Sequence, residues 1–228
     1  MPSDSSIRPF DGCPALDGYH CQTNSLAKIF RFRGRPLSED MLLGLGAGLG
    51  FMYWKTAASA ETSVFIGGRG NNKDFFADIG RRTGVAIGTV YTSSARKAEE
   101  ALLERLRERE PVMLFGDMGL LPWFDFPEGY HFGGHSFVAC GFDGERTVLA
   151  SDMDPRASGL KKGFYHPIAL ERLAEARSSP YKPFPPRNGR VELDFSGFRP
   201  PSAGDILSAI AQEAEAQLGA PTRNFGIQ

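Results

Sequence analysis

The stretch that most constrains this chain runs from Ala95 to Ser151, where one amphipathic pattern of helical period gives way to three short apolar runs. ARKAEEALLERLRER carries Ala95, Ala98, Leu102 and Leu106 at helical spacing with charges elsewhere, and Pro111 lies just beyond its end. VMLF, SFVACGF and TVLAS then read as buried strands. The last two are joined by DGER, whose Asp143-Gly144 pair favours a tight turn. A helix followed by an antiparallel run of strands predicts an α+β fold.

Elsewhere the pattern is less regular. QTNSLAKIFRFRG places Leu26, Ile29 and Phe30 on one helical face, with Phe32 off that stripe and Gly34 as the natural stop. PLSEDMLLGL offers Ser38 as an N-cap with Glu39 and Asp40 in the first turn, predicting a second helix that runs into a glycine-rich segment. From Thr56 to Thr92, short apolar runs alternate with GGRGNN and predict strands or short helices joined by loops. After Pro167, IALERLAEAR predicts another short helix. SSPYKPFPPRNG is too rich in proline, which lacks the backbone donor, to be a central strand, and marks a boundary. SAGDILSAIAQEAEAQL then sets Ile206, Ile210 and Ala214 along one helical face, with Gly219 closing the helix. The expected organisation is a catalytic domain over 1–179, followed by a proline-rich connection and helical extension over 180–228.

Charge excludes some functions. Lys and Arg number 26 against 27 Asp and Glu, a formal net charge of -1, so no broad basic field gathers phosphate backbones or anionic lipid. Neither nucleic acid nor a membrane is an expected partner. The N-terminus MPSDSSIRPFDG lacks the pattern of a secretory signal, and MLLGLGAGLGFMYW is too short and glycine-rich to span a bilayer. Three cysteines, Cys13, Cys21 and Cys140, are too few and odd in number for a disulfide framework, which predicts a reducing, cytoplasmic setting.

Each thiol is then weighed singly. Cys21 stands directly before a predicted helix, where unpaired N–H groups and the positive end of the helix dipole favour a thiolate. It is the candidate nucleophile. Cys13 in a loop and Cys140 inside a buried strand lack that setting and read as small apolar residues. A thiol nucleophile needs a base, and GGHSFVACGF offers His135 at the mouth of a strand behind two glycines that admit a close approach. If DGER pairs Phe142 with Thr147, the register sets Phe137 opposite Asp152 and His135 opposite Asp154. All four side chains then share one face, so either carboxylate can orient the imidazole. Other motifs are weaker. HFGGH spaces His131 and His135 by four, but its glycines disfavour a helical metal site. GLGAGLG lacks the third glycine of a dinucleotide loop, and GGRGNNK has Asn72 where a phosphate loop needs glycine. Asp117, after VMLF, reads as a turn residue.

GYHCQTNSLAKIFRFRGRPLSEDMLLGLGAGLGFMYW, followed by GGHSFVACGFD, SDMDP and LERLAEARSS, resembles the N-terminal domain of the butirosin biosynthesis protein H family from about Asp17 to Ser179. The resemblance implies an architecture similar to papain-like and bacteriocin-processing cysteine peptidases, with a cysteine-bearing helix packed on an antiparallel sheet. It implies transfer of an aminoacyl group from an acyl carrier protein thioester to a small-molecule amine in antibiotic biosynthesis, with no metal or organic cofactor. By that resemblance Cys21 is the nucleophile, His135 the base and Asp152 the orienting carboxylate. Processing peptidases carry a glutamine several residues before the cysteine, whereas ALDGYH precedes Cys21 here. Two other readings remain: a peptidase or amidase of the same fold, in which water replaces the amine, and a non-catalytic binding module.

Overall fold

Capping decides where several helices begin. In the computed structural model, which describes residues 7–55, 64–70, 72–152, 164–182 and 184–219, Ser94 accepts a hydrogen bond from the Lys97 amide and starts α4 (Ala95–Arg107). Ala98, Leu102 and Leu106 of that helix are buried as their spacing predicts, while Ala95 is exposed. The preceding elements are α1 (Cys21–Phe32), α2 (Glu39–Leu45), β1 (Leu49–Lys55), β2 (Val64–Arg69), α3 (Phe75–Thr83) and β3 (Ala86–Val90). After α4 come β4 (Val112–Gly116), a 3-10 turn at Met118–Leu120, β5 (His135–Phe142), β6 (Thr147–Ser151), β7 (Tyr165–Ala169), α5 (Leu170–Ser178), β8 (Arg190–Asp194) and α6 (Ala203–Leu218). The fold is α+β, with a two-stranded antiparallel hairpin, β1-β2, and a six-stranded sheet in the order β3-β8-β4-β5-β6-β7. The chain forms two compact units, Met1–Glu39 with Thr89–Glu192 and Asp40–Gly88 with Leu193–Gln228.

The core of the first unit lies on β5. Phe137, Val138, Ala139 and Cys140 are all fully buried there, and α1 and α4 both pack on this strand. α1 contributes Leu26 and Phe30 at 0% exposure. Each such side chain contributes about 1.5–3 kcal/mol by leaving water. Replacing Leu102 by Ala removes part of that and leaves a cavity, for about 2–5 kcal/mol.

The β5-β6 hairpin reaches its expected register by an unexpected route. Phe142 pairs with Val148 rather than Thr147, because the Asp143 carboxylate accepts from the Glu145, Arg146 and Thr147 amides and holds a wider turn, with Gly144 at φ +91°. An irregularity between Ala139 and Gly141 then shifts the pairing by one residue, so that Val138 faces Ser151. The two offsets cancel. The alternation that brings Phe137 level with the end of β6 therefore holds, while Asp154 lies outside the described residues.

Two other expectations are corrected. Ile168 and Ala169 do not belong to the predicted helix after Pro167: they finish β7, and α5 begins at Leu170. Pro167 is tolerated because β7 is the edge strand. On α6, Ile210 is 59% exposed and Ala209 is the buried residue. That helix docks on α3 through polar groups rather than an apolar stripe, since Gln212 bonds both Arg82 and Asp78. In GLGAGLG, Gly46 and Gly48 are packed backbone, as a Cβ on either would meet the Phe75 ring at 2.3 or 2.5 Å, while Gly44 faces open space.

Candidate active site

α1 begins at Cys21, with His20 as its N-cap. The His20 ring bonds the Thr23 hydroxyl at 2.9 Å, and the Thr23 amide donates to its Nδ1 at 3.4 Å. The turn before the helix is held from outside by Glu39, whose Oε1 accepts from the Tyr19 amide at 2.9 Å and the His20 amide at 2.6 Å. Asn24 closes the same turn by donating to the Asp17 carbonyl at 2.9 Å. Gly18 makes this possible, because a Cβ there would lie 2.2 Å from both the Asn24 amide and the Glu39 carboxylate. The Tyr19 and His20 amides are therefore taken.

His135 opens β5 and is 2% exposed. Its Nε2 lies 2.7 Å from Asp152 Oδ2, which leaves Nδ1 to meet the Cys21 thiol, hydrogen-bonded to the ring. Burial by itself disfavours the imidazolium, but the Asp152 carboxylate and the Cys21 sulfur outweigh it and raise His135 to about 10. Burial likewise opposes ionisation of Cys21, yet the His135 ring and the Ser136 amide bring the thiol below its ordinary value. Each group thereby favours the charged form of the other. The three residues named from the sequence come together, in a chain from thiol to imidazole to carboxylate.

Three further residues shape the site, and the sequence did not single them out for it. Trp123, 2% exposed, donates from Nε1 to Asp152 Oδ2 at 2.7 Å, fixing the same oxygen that receives His135. It is wedged edge-on to Phe137, with ring centres 5.4 Å apart, and stacked on His166 at 5.0 Å. Phe124 stands edge-on to the His135 ring at 5.1 Å. Lys28 is 1% exposed and donates from Nζ to the Asp152 backbone carbonyl at 2.5 Å. An isolated tryptophan in LLPWFDF carries no periodic signal, and Lys28 lies in a helix buried nearly all round, so spacing could not reveal which face it occupies.

The weaker candidates find other roles. Asp117 is buried and accepts from the Gly119 and Phe132 amides, Ser179 and His131, so it anchors the loop between β4 and β5. His131 bonds Asp117 at 2.9 Å and stacks on Tyr181. The glycines before His135 admit the proline-rich connection, as a Cβ on Gly133 would lie 2.3 Å from the Phe184 carbonyl. Cys13 and Cys140 are free and buried, and their thiols hydrogen-bond one another. Asn72, in GGRGNNK, spends its side-chain amide on the Gly46 carbonyl and Asp78.

No curated protein matches the chain. Among the described residues, no helix is long and apolar enough to cross a membrane. The family described as butirosin biosynthesis protein H, N-terminal, matches residues 20–153, from the N-cap of the cysteine helix to just past Asp152, and the chain belongs to that family.

Proposed function

We propose that this protein is a cysteine acyltransferase of papain-like architecture, acting in a biosynthetic route of the kind its family name describes. It would move an acyl or aminoacyl group from a carrier-protein thioester to a small-molecule amine. The observation that carries the reading is the continuous chain Cys21–His135–Asp152, with the thiol lowered and the imidazole raised. In the first half-reaction the Cys21 thiolate attacks the thioester carbonyl, and the oxyanion that forms lies against the Cys21 amide. The bond to the carrier sulfur breaks, and that sulfur leaves with the His135 proton. In the second, the amine attacks the acyl-enzyme while His135 takes its proton, and the Cys21 sulfur is the leaving group. Asp152 holds the ring in the tautomer with Nε2–H and Nδ1 facing sulfur, and Trp123 holds Asp152. A cytoplasmic setting suits the three free thiols.

The test is intact-mass analysis after mixing with acyl-carrier thioesters. The proposal predicts a mass increase equal to the acyl group, located on Cys21 and discharged by an added amine. Hydrolysis of peptides with no thioester acylation would assign the site to the peptidase alternative, and no adduct of either kind would favour the binding module.

A further inference from the structure

Lys28 is a costly residue to place where it lies. At 1% exposure its ammonium has given up its hydration, a loss of several kcal/mol unless the site compensates. The one hydrogen bond it makes among the described residues, 2.5 Å to the Asp152 carbonyl, is one a neutral amide could supply. What a neutral donor could not supply is a positive charge. The charged and titratable groups facing the ammonium are Asp152 at the end of β6, Cys140 on β5, Cys13 in the N-terminal segment and Glu39 at the start of α2. His135 is bonded to the Asp152 carboxylate.

Position along the helix adds a second constraint. Lys28 follows Cys21 by seven residues, so the two side chains leave α1 on nearly the same face, about 10 Å apart along the axis. One helix therefore presents the thiol at its first turn and, two turns on, grips the strand end that carries the carboxylate. We infer that Lys28 is a positioning residue for the Cys21–His135–Asp152 site: it ties the helix bearing Cys21 to the segment bearing Asp152 and balances the charge of that carboxylate. The inference rests on the proposed thiol chemistry and adds a fourth member to it, one that touches neither substrate nor sulfur.

The charge has a predictable effect on pH dependence. Burial brings the ammonium down to about 8 against the opposing pull of Asp152, so it remains mostly protonated at neutral pH. While it is charged, the Asp152 carboxylate is shared between two cations. Replacing Lys28 by a neutral side chain removes a cation from the neighbourhood of the Cys21–His135 pair and so raises the pH at which the thiolate forms.

The experiment is the rate of Cys21 alkylation by iodoacetate against pH, because this anion needs the imidazolium beside the thiolate and gives a bell-shaped profile. Lys28→Met should lower the plateau about 10-fold or more, as loss of an orienting partner does elsewhere. It should also move the acid limb, where the thiolate forms, to higher pH and leave the alkaline limb in place, because the parent's own ammonium is already neutral there. Lys28→Gln, which keeps a donor without the charge, should lose less rate and show the same displaced limb. Plateaus within twofold of the parent with an unmoved acid limb, in both variants, would overturn the inference. If neither variant folds, carbon-13 NMR titration of Lys28 decides: its pKa should fall by about one unit in Asp152→Asn, and an unchanged value refutes the coupling. Alkylation needs no acyl donor. A displaced limb in a protein that no thioester acylates would keep the Lys28 assignment and reject the acyl-transfer reading.

Discussion

Two aspartate–histidine pairs lie in the same unit, each at the end of a strand, and only one has the makings of chemistry. Asp117 meets His131 at 2.9 Å and Asp152 meets His135 at 2.7 Å, so the hydrogen bonds are nearly alike. Asp117 also receives two backbone amides and the Ser179 hydroxyl, and His131 stacks on Tyr181, a loop residue. The Asp152 carboxylate instead receives the indole of Trp123, and its histidine has a thiol at the other nitrogen. A buried carboxylate with a histidine beside it is thus a loop anchor or a base-orienting pair according to what the second ring nitrogen meets.

The largest effects should come from removing that second partner. Cys21→Ala and His135→Ala should each abolish acylation at this site while circular dichroism stays native, because both roles are chemical. An adduct that persists in Cys21→Ala, or moves to Cys13 or Cys140, would dissolve the distinction between the two pairs. Asp152→Asn should follow. The comparable change in a serine triad costs about 10⁴ in turnover, and we predict a smaller loss here because a thiol ionises more readily. Asp154→Asn should be near normal, and the opposite ranking would reassign the orienting carboxylate. Trp123→Phe keeps the packing and removes one hydrogen bond to Asp152, so kcat should fall about 10-fold with little change in KM. A change in KM alone would mean that Trp123 binds substrate.

The smallest catalytic effect belongs to the other pair. Asp117→Asn should leave the acylation rate of folded protein unchanged while lowering stability by about 1–3 kcal/mol, measured by urea denaturation at neutral pH. Burial opposes the Asp117 charge, but four hydrogen bonds hold it below the usual carboxylate range. Its contribution is present above about pH 3.9, the unfolded value, and fades as pH falls through the folded one. The parent should therefore lose its advantage over the variant in acid. A constant difference at all pH would contradict the anchoring role.

The candidate site was legible in the sequence because its members each sit at an element boundary that the sequence announces. Cys21 starts a helix, His135 follows two glycines at a strand mouth, and Asp152 directly follows the next strand. Register leaves the choice between Asp152 and Asp154 open and resemblance alone favours Asp152, while the expected alternation survives through two offsets that no pattern shows. α4 was legible because one face is polar. α1 is buried from Thr23 to Phe30, which hid Lys28 among its neighbours, and Glu39 looked like an ordinary first-turn acid although it grips the turn before Cys21. The exposed Ile210 marks the converse limit: a helix docked by Gln212 onto Arg82 and Asp78 turns its apolar spacing away from the contact.

The central claim is that Cys21 is ionised by His135, and the pH dependence of its alkylation by uncharged iodoacetamide tests it most directly. With the thiol lowered and the imidazole raised to about 10, labelling at Cys21 should already be rapid well below pH 8.5, the ordinary cysteine value. In His135→Ala the midpoint should rise to that value or above. A parent midpoint near pH 8.5 that His135→Ala leaves unmoved would contradict the account.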